Sequence, residues 1–284
     1  MPRATACLAC GCFARAPRYT LDAQWRINEC SSCGMHTLDP SPDDVVMDEF
    51  NSGEGYEGAF DLEDEMLEIS RRTLTTLERH APGRRLLDVG SGPGFLLRVA
   101  RERGWDAVAL DPSPFAVAQA RKAGFEAHQG MLEDVALEPG SFDALALLQV
   151  IEHVTDPRPL LAACHRLLKP GGALVVATPN PASLLAHMKR ERFNYWIPPV
   201  HCVWYPPHAL TLMLEGNGFK VTHAETWSAR TDALHDGVDA LRASKLGELV
   251  PVRWHRRVGD LAARISDRAG RGSIVEQIAI KEGR

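Results

Sequence analysis

The stretch Leu86-Leu87-Asp88-Val89-Gly90-Ser91-Gly92-Pro93-Gly94 decides the fold. An apolar, strand-like run enters glycines at alternate positions, and Phe95–Arg103 follows with helical spacing. Glycine lets the backbone turn sharply and come close to a ligand, and the helix behind it offers unsatisfied amides at its N-terminus. A bare G-x-G-x-G turn separates nucleotide-binding folds poorly, and it also occurs as a simple tight turn. Three features narrow it. Asp88 stands two residues before the first glycine, where a carboxylate suits an amine better than a phosphate. Asp111 closes the next expected strand about 20 residues on, a position from which an acid accepts both hydroxyls of a ribose. The loop lacks the further glycine and the run of amides that cradle a pyrophosphate. A cationic, phosphate-free nucleoside fits this set better than a dinucleotide does.

Outward from the loop, strands expected at Arg85–Val89, Ala107–Leu110, Glu126–Gln129, Phe142–Leu148 and Ala173–Ala177 alternate with helices at Phe95–Arg103, Pro114–Ala123 and Pro157–Leu168. That alternation implies βαβ units around a mainly parallel sheet. Lys169-Pro170-Gly171-Gly172 reads as a helix-to-strand turn. A helix from Pro207 to Glu215 and strands at Gly218–Ala224 and Ser273–Ile280 complete the series. Upstream, Leu62, Met66, Ile69, Leu74 and Leu77 recur at helical spacing in Phe60–His80, and Asp43–Phe50 reads as a short helix within a Pro- and Gly-rich linker.

The motifs resemble, in order, those of class I S-adenosylmethionine-dependent methyltransferases: LLDVGSGPG at 86–94, ALD at 109–111, GMLED at 130–134, FDALALLQVIEHV at 142–154 and LLKPGGALVVATPN at 167–180. The branch most similar is the ubiquinone-biosynthesis-like group, over residues 84–225. The resemblance implies a Rossmann-like, doubly wound seven-stranded mixed sheet whose last strand is antiparallel. It implies S-adenosylmethionine as cofactor. Gly90, Gly92 and Gly94 would pass beneath the methionine part, with Asp88 near its amino group and Gln149 close by. Asp111 would hold the ribose hydroxyls, Pro112, Met131 and Leu132 would flank the adenine, and Glu133 or a backbone amide would meet the exocyclic amine. The implied reaction moves a methyl group to an acceptor, for which a hydroxyl oxygen of a sugar or secondary metabolite is the first choice. Methylation of RNA or protein, or cofactor binding without catalysis, are the alternatives.

Cys7-x2-Cys10 and Cys30-x2-Cys33, 19 residues apart, match the spacing of a zinc ribbon, and each knuckle is followed by glycine (Gly11, Gly34). Four thiolates would close the coordination shell of Zn²⁺, making the metal structural rather than catalytic. Redox dithiols or inert thiols are the competing readings, and Cys12 could replace Cys10. Cys164 and Cys202 read as packing residues.

Methyl transfer needs an aligned nucleophile and, for a hydroxyl, removal of its proton. Glu152-His153 follow the fourth strand at its C-terminal edge, where ligands sit in open α/β sheets. His153 would act there as a base or would cap the next helix. His201 lies in the aromatic, proline-rich run Trp196–Tyr205, which resembles a lid over an acceptor pocket; it would contact substrate or brace the lid. Tyr195 and His208 are weaker candidates.

The expected domains are a zinc ribbon at 1–40, a linker with helices at 41–83, and a methyltransferase domain at 84–284 carrying the lid 181–207 and a basic helical insertion 229–270. That insertion includes Arg230, Arg242, Arg253, Arg256, Arg257 and Arg264, which suit a solvated face, recognition of an anionic acceptor, or a homodimer contact. The chain has 284 residues, 45% hydrophobic and 24% charged, with a net charge of −5, which speaks against broad nucleic-acid affinity. Nothing approaches a membrane-spanning apolar run, and Met1–Cys12 lacks the apolar core of a signal peptide. With five of the seven cysteines in two close groups and no export signal, thiols or metal ligands are expected over disulfides, in the cytoplasm.

Overall fold

The computed structural model describes residues 6–42, 53, 56–228, 261 and 263–283. The helix expected at Asp43–Phe50 and residues 229–260 of the basic insertion lie outside the described residues. The strands are β1 (Arg15–Thr20), β2 (Arg26–Cys30), β3 (His36–Asp39), β4 (Arg85–Val89), β5 (Asp106–Asp111), β6 (Glu126–Gln129), β7 (Phe142–Leu148), β8 (Leu168–Pro179), β9 (Val203–Trp204), β10 (Phe219–Trp227) and β11 (Ile274–Lys281). The helices are α1 (Glu57–Asp61), α2 (Glu63–Leu77), α3 (Phe95–Glu102), α4 (Pro114–Lys122), α5 (Arg158–Leu167), α6 (Leu184–Lys189) and α7 (Pro207–Glu215).

Seven strands form one mixed sheet in the order β10-β11-β8-β7-β4-β5-β6, with the last strand antiparallel, as the motif series implies. β4 pairs in parallel with both β5 and β7, so the winding reverses beside β4. A reversal of this kind opens a crevice at the carboxyl ends of the strands. The four-stranded sheet has the order β1-β2-β3-β9.

The chain divides into two compact units. The first comprises the described parts of Pro42–Ala177, Thr211–His223 and Gln277–Arg284. Its central strands are apolar without alternation because helices cover both faces. Leu86, Leu87, Leu145 and Val175 are fully buried. Leu67, Leu74 and Leu77 of α2 join Phe95, Leu96 and Val99 of α3 in the same core. Each such side chain contributes about 1.5–3 kcal/mol on burial. The single helix expected over Phe60–His80 is split: Leu62 leaves helical geometry (φ −112°, ψ 24°), and α2 restarts on Glu63, Asp64 and Glu65. Three acids in a first turn complement the amide dipoles there, a local signal that outweighed the apolar periodicity through Leu62. β8 starts at Leu168, earlier than expected, because Phe142 pairs with Leu168 before the register shifts to Ala144–Ala173.

The second unit comprises the described parts of Met1–Ser41, Thr178–Leu210 and Ala224–Glu276. β1 and β2 form an antiparallel hairpin between the two cysteine knuckles, with Arg15 opposite Cys30 and Thr20 opposite Arg26. β3 and β9 were not expected as strands. They pair with each other, His36 opposite Trp204 and Thr37 opposite Val203, so the run read as a lid shares a sheet with the cysteine knuckles. Asn180 ties this unit's later segments together: its amide nitrogen donates to Ser273 O at 2.7 Å and its Nδ2 to Gly272 O at 2.8 Å.

Candidate functional site

The glycine-rich turn leaves β4 with Gly90, Gly92 and Gly94 all at positive φ (70°, 47° and 80°), a conformation that side chains disfavour. The amides of Gly90 and Ser91 donate to Leu110 O at 2.8 and 3.2 Å, which pins the turn to the end of β5. A Cβ on Gly90 would lie 2.6 Å from Val150 Cγ2. Asp111 is buried at the tip of β5; its two oxygens accept the Gly92 amide at 2.9 Å and the Ser113 amide at 2.8 Å. Ser113 in turn caps α4 by accepting from Ala116 N, with Pro114 at the first helical position.

Around these termini lies an open cleft, largely apolar with a few polar groups, as small-molecule sites are. Of the residues that the sequence proposed for the cofactor, Gly90, Asp111, Pro112, Met131, Leu132, Glu133 and Gln149 line it together. Asp88, Gly92 and Gly94 do not line the cleft; Asp88 is buried within the end of β4. Gln149 has φ 56°, unusual for a residue with a side chain, and its amide donates to Ala177 O at 2.8 Å. Tyr56, Val150, Val154 and Leu160 also line the cleft, and sequence reasoning missed them. Tyr56 sits in a stretch read as linker, and only its structure reveals that its ring stacks on Phe115 at 5.9 Å and its hydroxyl bonds Asp111 and Ser113.

Two acids sit beside or beneath this cleft. Burial pushes the Asp88 carboxyl up to about 8, with the charge of Asp111 adding to it. Burial also raises Asp111, opposed by the two amides and the Tyr56 hydroxyl it accepts. Among the described lining residues there is no lysine or arginine, so the cleft offers a phosphate no counter-charge. Ser91 Oγ is buried at the turn with no hydrogen-bond partner among the described residues. Paired acids, an unused buried hydroxyl and a bare glycine surface fit a cationic nucleoside such as S-adenosylmethionine.

The catalytic candidates fall in different units. Glu152 and His153 lie in a 3-10 turn, Ile151–His153, just past β7. Glu152 is fully buried, whereas His153 is half-buried and lines the cleft. His201 belongs to the second unit and is 7% exposed. Its Nδ1 donates to Tyr195 O at 3.0 Å, which leaves the neutral ring's lone pair on Nε2. Tyr195 is half-buried and His208 is exposed on α7.

In the second unit the Sγ atoms of Cys7, Cys10, Cys30 and Cys33 all lie within 4.8 Å of one another. Cys7–Cys33 and Cys10–Cys30 are each 3.6 Å apart. Zinc–sulfur bonds of about 2.3 Å in a tetrahedron give sulfur separations of about 3.8 Å. Burial would raise the Cys30 thiol, but the amides of Cys33 and Ser32 and the neighbouring thiols outweigh it and bring it down to about 7. Burial raises the Cys7 and Cys33 thiols, so it is the spacing of the four sulfurs that fits a closed tetrathiolate metal site. Cys12 is not part of that group.

Comparison with known proteins agrees with the geometry. A family model described as "Methyltransferase domain" matches residues 62–224. A ubiquinone biosynthesis O-methyltransferase of Xanthomonas campestris is 42% identical over 106 residues, 35% of this chain and 44% of that protein. The chain thus spans less than half the length of the curated relatives it matches. Among solved structures, a Haloferax volcanii methyltransferase in complex with the Trm112 methyltransferase activator superposes with a TM-score of 0.59 at 19% identity, over 84% of this chain and 100% of that one. A Thermotoga maritima SAM-dependent methyltransferase, described as a possible histamine N-methyltransferase, gives a TM-score of 0.58 at 20% identity with the same coverage. By the family match over most of its length, the chain belongs to the methyltransferase domain family, and its seven-stranded fold is that of the structures it superposes on.

Proposed function

We propose that the chain transfers the methyl group of S-adenosylmethionine to a hydroxyl oxygen of a small-molecule acceptor, a sugar or secondary metabolite, releasing S-adenosylhomocysteine. The carrying observation is the cleft at the switch point of the sheet, lined by Gly90, Asp111 and Gln149 and without a described lysine or arginine. The cofactor supplies an electrophilic methyl on a sulfonium. The chain's own residues do the rest. Asp88 provides negative potential for the ammonium, Asp111 accepts the ribose hydroxyls, and Pro112, Met131 and Leu132 enclose the adenine with Glu133 at its edge. The name of the 42% identical relative supports an oxygen acceptor.

His153 is the proposed base, because it is the histidine that lines the cleft. Glu152, buried beside it in the same turn, would orient it, and His201 would contact the acceptor. Cys7, Cys10, Cys30 and Cys33 would hold a structural Zn²⁺. Among the described residues no helix is long and apolar enough to cross a membrane.

The test is incubation of the full chain with methyl-labelled cofactor and fractionated cell extract. Label in small, base-stable ethers supports the reading. Label in protein or RNA overturns it in favour of a polymer substrate, and tight cofactor binding without any labelled product reduces the chain to a binding module.

A further inference from the structure

The apolar bulk of the second unit comes from its aromatic run, in which Phe193, Trp196, Trp204 and Tyr205 are buried, and little of it from the strands beside the cysteines. β1 is mostly exposed, and the buried apolar residues of its first three strands are few, chiefly Tyr19, Ile27 and Leu38. Sheets this small need a staple to fold. The cysteine knuckles are also tied to the aromatic run after β8. Gly34 N donates to Cys30 O at 2.8 Å, closing the knuckle, and His36 Nδ1 donates back to Gly34 O at 2.8 Å. The His36 ring stacks on Trp196 at 5.7 Å, and Trp196 meets Trp204 edge-on at 4.7 Å. Leu38 N donates to Cys202 O at 2.8 Å, and the two residues of β9 pair with β3. Trp204 Nε1 and His201 Nδ1 both donate to Tyr195 O, at 2.9 and 3.0 Å.

We propose that the tetrathiolate metal centre is the anchor of the segment Phe193–Tyr205: metal binding orders that segment through β3 and the His36–Trp196 stack, and metal loss releases it, together with His201, while the cofactor cleft stays formed. The route is short and continuous, from Cys33 through Gly34 and His36 to Trp196 and Tyr195. The edge of β3 that a docked macromolecule could have extended is taken by β9. The residues that line the cleft run from Tyr56 to Leu160 and include none of Phe193–Tyr205. Metal binding that creates local order is expected wherever the apo site cannot hold its ligands together.

The inference rests on the proposed zinc site, and the experiment separates the two. The full chain is compared by amide hydrogen exchange as purified, after stripping with a chelator, and after reloading with Zn²⁺, with metal content measured at each stage. We expect stripping to cost peptides covering 193–205 about tenfold or more in protection, reloading to restore it, and peptides covering 85–111 to be unchanged. S-adenosylhomocysteine should bind the stripped chain within about twofold of the loaded one, because its pocket is intact. Equal exchange at 193–205 with and without bound zinc overturns the inference and leaves the metal site standing. Equal loss in both regions overturns it too, since the metal would then staple the whole chain. A purified chain that neither contains nor takes up zinc overturns both. His36→Ala tests the route: zinc should remain bound while protection at 193–205 falls, and unchanged protection in that variant overturns the route.

Discussion

The cofactor cleft and the cysteine sheet solve the same problem, holding loops in one place, by opposite means. The cleft stands on strands buried over nearly their whole length: β5 is exposed only at Asp106, and six of the seven residues of β7 are buried. Its glycine turn is held to the end of β5 by two backbone bonds to Leu110 and by the Gly92 amide's bond to Asp111. The cysteine sheet has no such foundation. β1 buries one residue, Tyr19, and the unit combines four clustered sulfurs and a two-residue strand with the buried aromatics Phe193, Trp196, Trp204 and Tyr205. The contrast taught by the two regions is between a cleft set on buried strands and a small sheet proposed to rest on a metal.

The strongest way to break that contrast is Cys33→Ser. A structural zinc site contributes on the order of 10 kcal/mol of apparent binding free energy, more than a small sheet can replace. The variant should contain no zinc and lose the cooperative unfolding of the cysteine sheet, seen as lost protection at 26–39, with protection of the central strands β4, β5 and β7 kept. A single shared transition, lowered as a whole, would erase the distinction. His153→Ala comes next. If His153 removes the acceptor proton, turnover should fall by about 10²–10⁴ with cofactor affinity unchanged, measured with labelled cofactor on the active extract fraction. An unchanged rate would return His153 to a structural role and move the base to the other unit.

The same contrast explains what could be read in the sequence. Residues 84–180 were legible because each element is local: a glycine turn must follow its strand, Ser113-Pro114 must start a helix, and the apolar runs must be buried. The cleft followed, since seven of the ten proposed cofactor residues lie at strand ends that any doubly wound sheet brings together. Tyr56 was not legible, because its place over Asp111 depends on the packing of a glycine-rich stretch with no periodicity of its own. β3 and β9 were missed for a related reason. His36–Asp39 and Val203–Trp204 are too short to carry a pattern, and their pairing joins residues more than 160 positions apart. The split of α1 from α2 was a matter of three acids against one leucine.

Gly90→Ala sharpens the comparison from the side of the cleft. The added methyl would lie 2.6 Å from Val150 Cγ2, on a backbone at φ 70°. Strain of about 1–3 kcal/mol predicts cofactor binding weaker by roughly ten- to a hundredfold, measured by calorimetry. The cysteine sheet should not register it: zinc content and protection at 26–39 should match the parent chain. A lesion that spread there would mean that the two regions are not independent.

The smallest expected effect concerns Asp88, and its sign follows from burial. The folded carboxyl titrates near 8 against an ordinary value of 3.8, so the ligand-free fold holds a proton that the unfolded chain releases. The contribution of this group to stability is present below about pH 4 and lost as pH rises toward 8. Cofactor binding reverses the bias. An ammonium placed beside Asp88 favours the carboxylate, so binding at pH 7 must expel a proton from the cleft. Affinity should therefore rise with pH by a little under tenfold per unit up to about pH 8, where the cofactor's own amine starts to lose its charge. Asp88→Asn should bind more weakly and flatten the rise. Calorimetry in two buffers of different ionisation enthalpy counts the released proton directly. If the parent chain releases none at pH 7, Asp88 does not change its protonation on binding, and the predicted rise of affinity with pH fails with it.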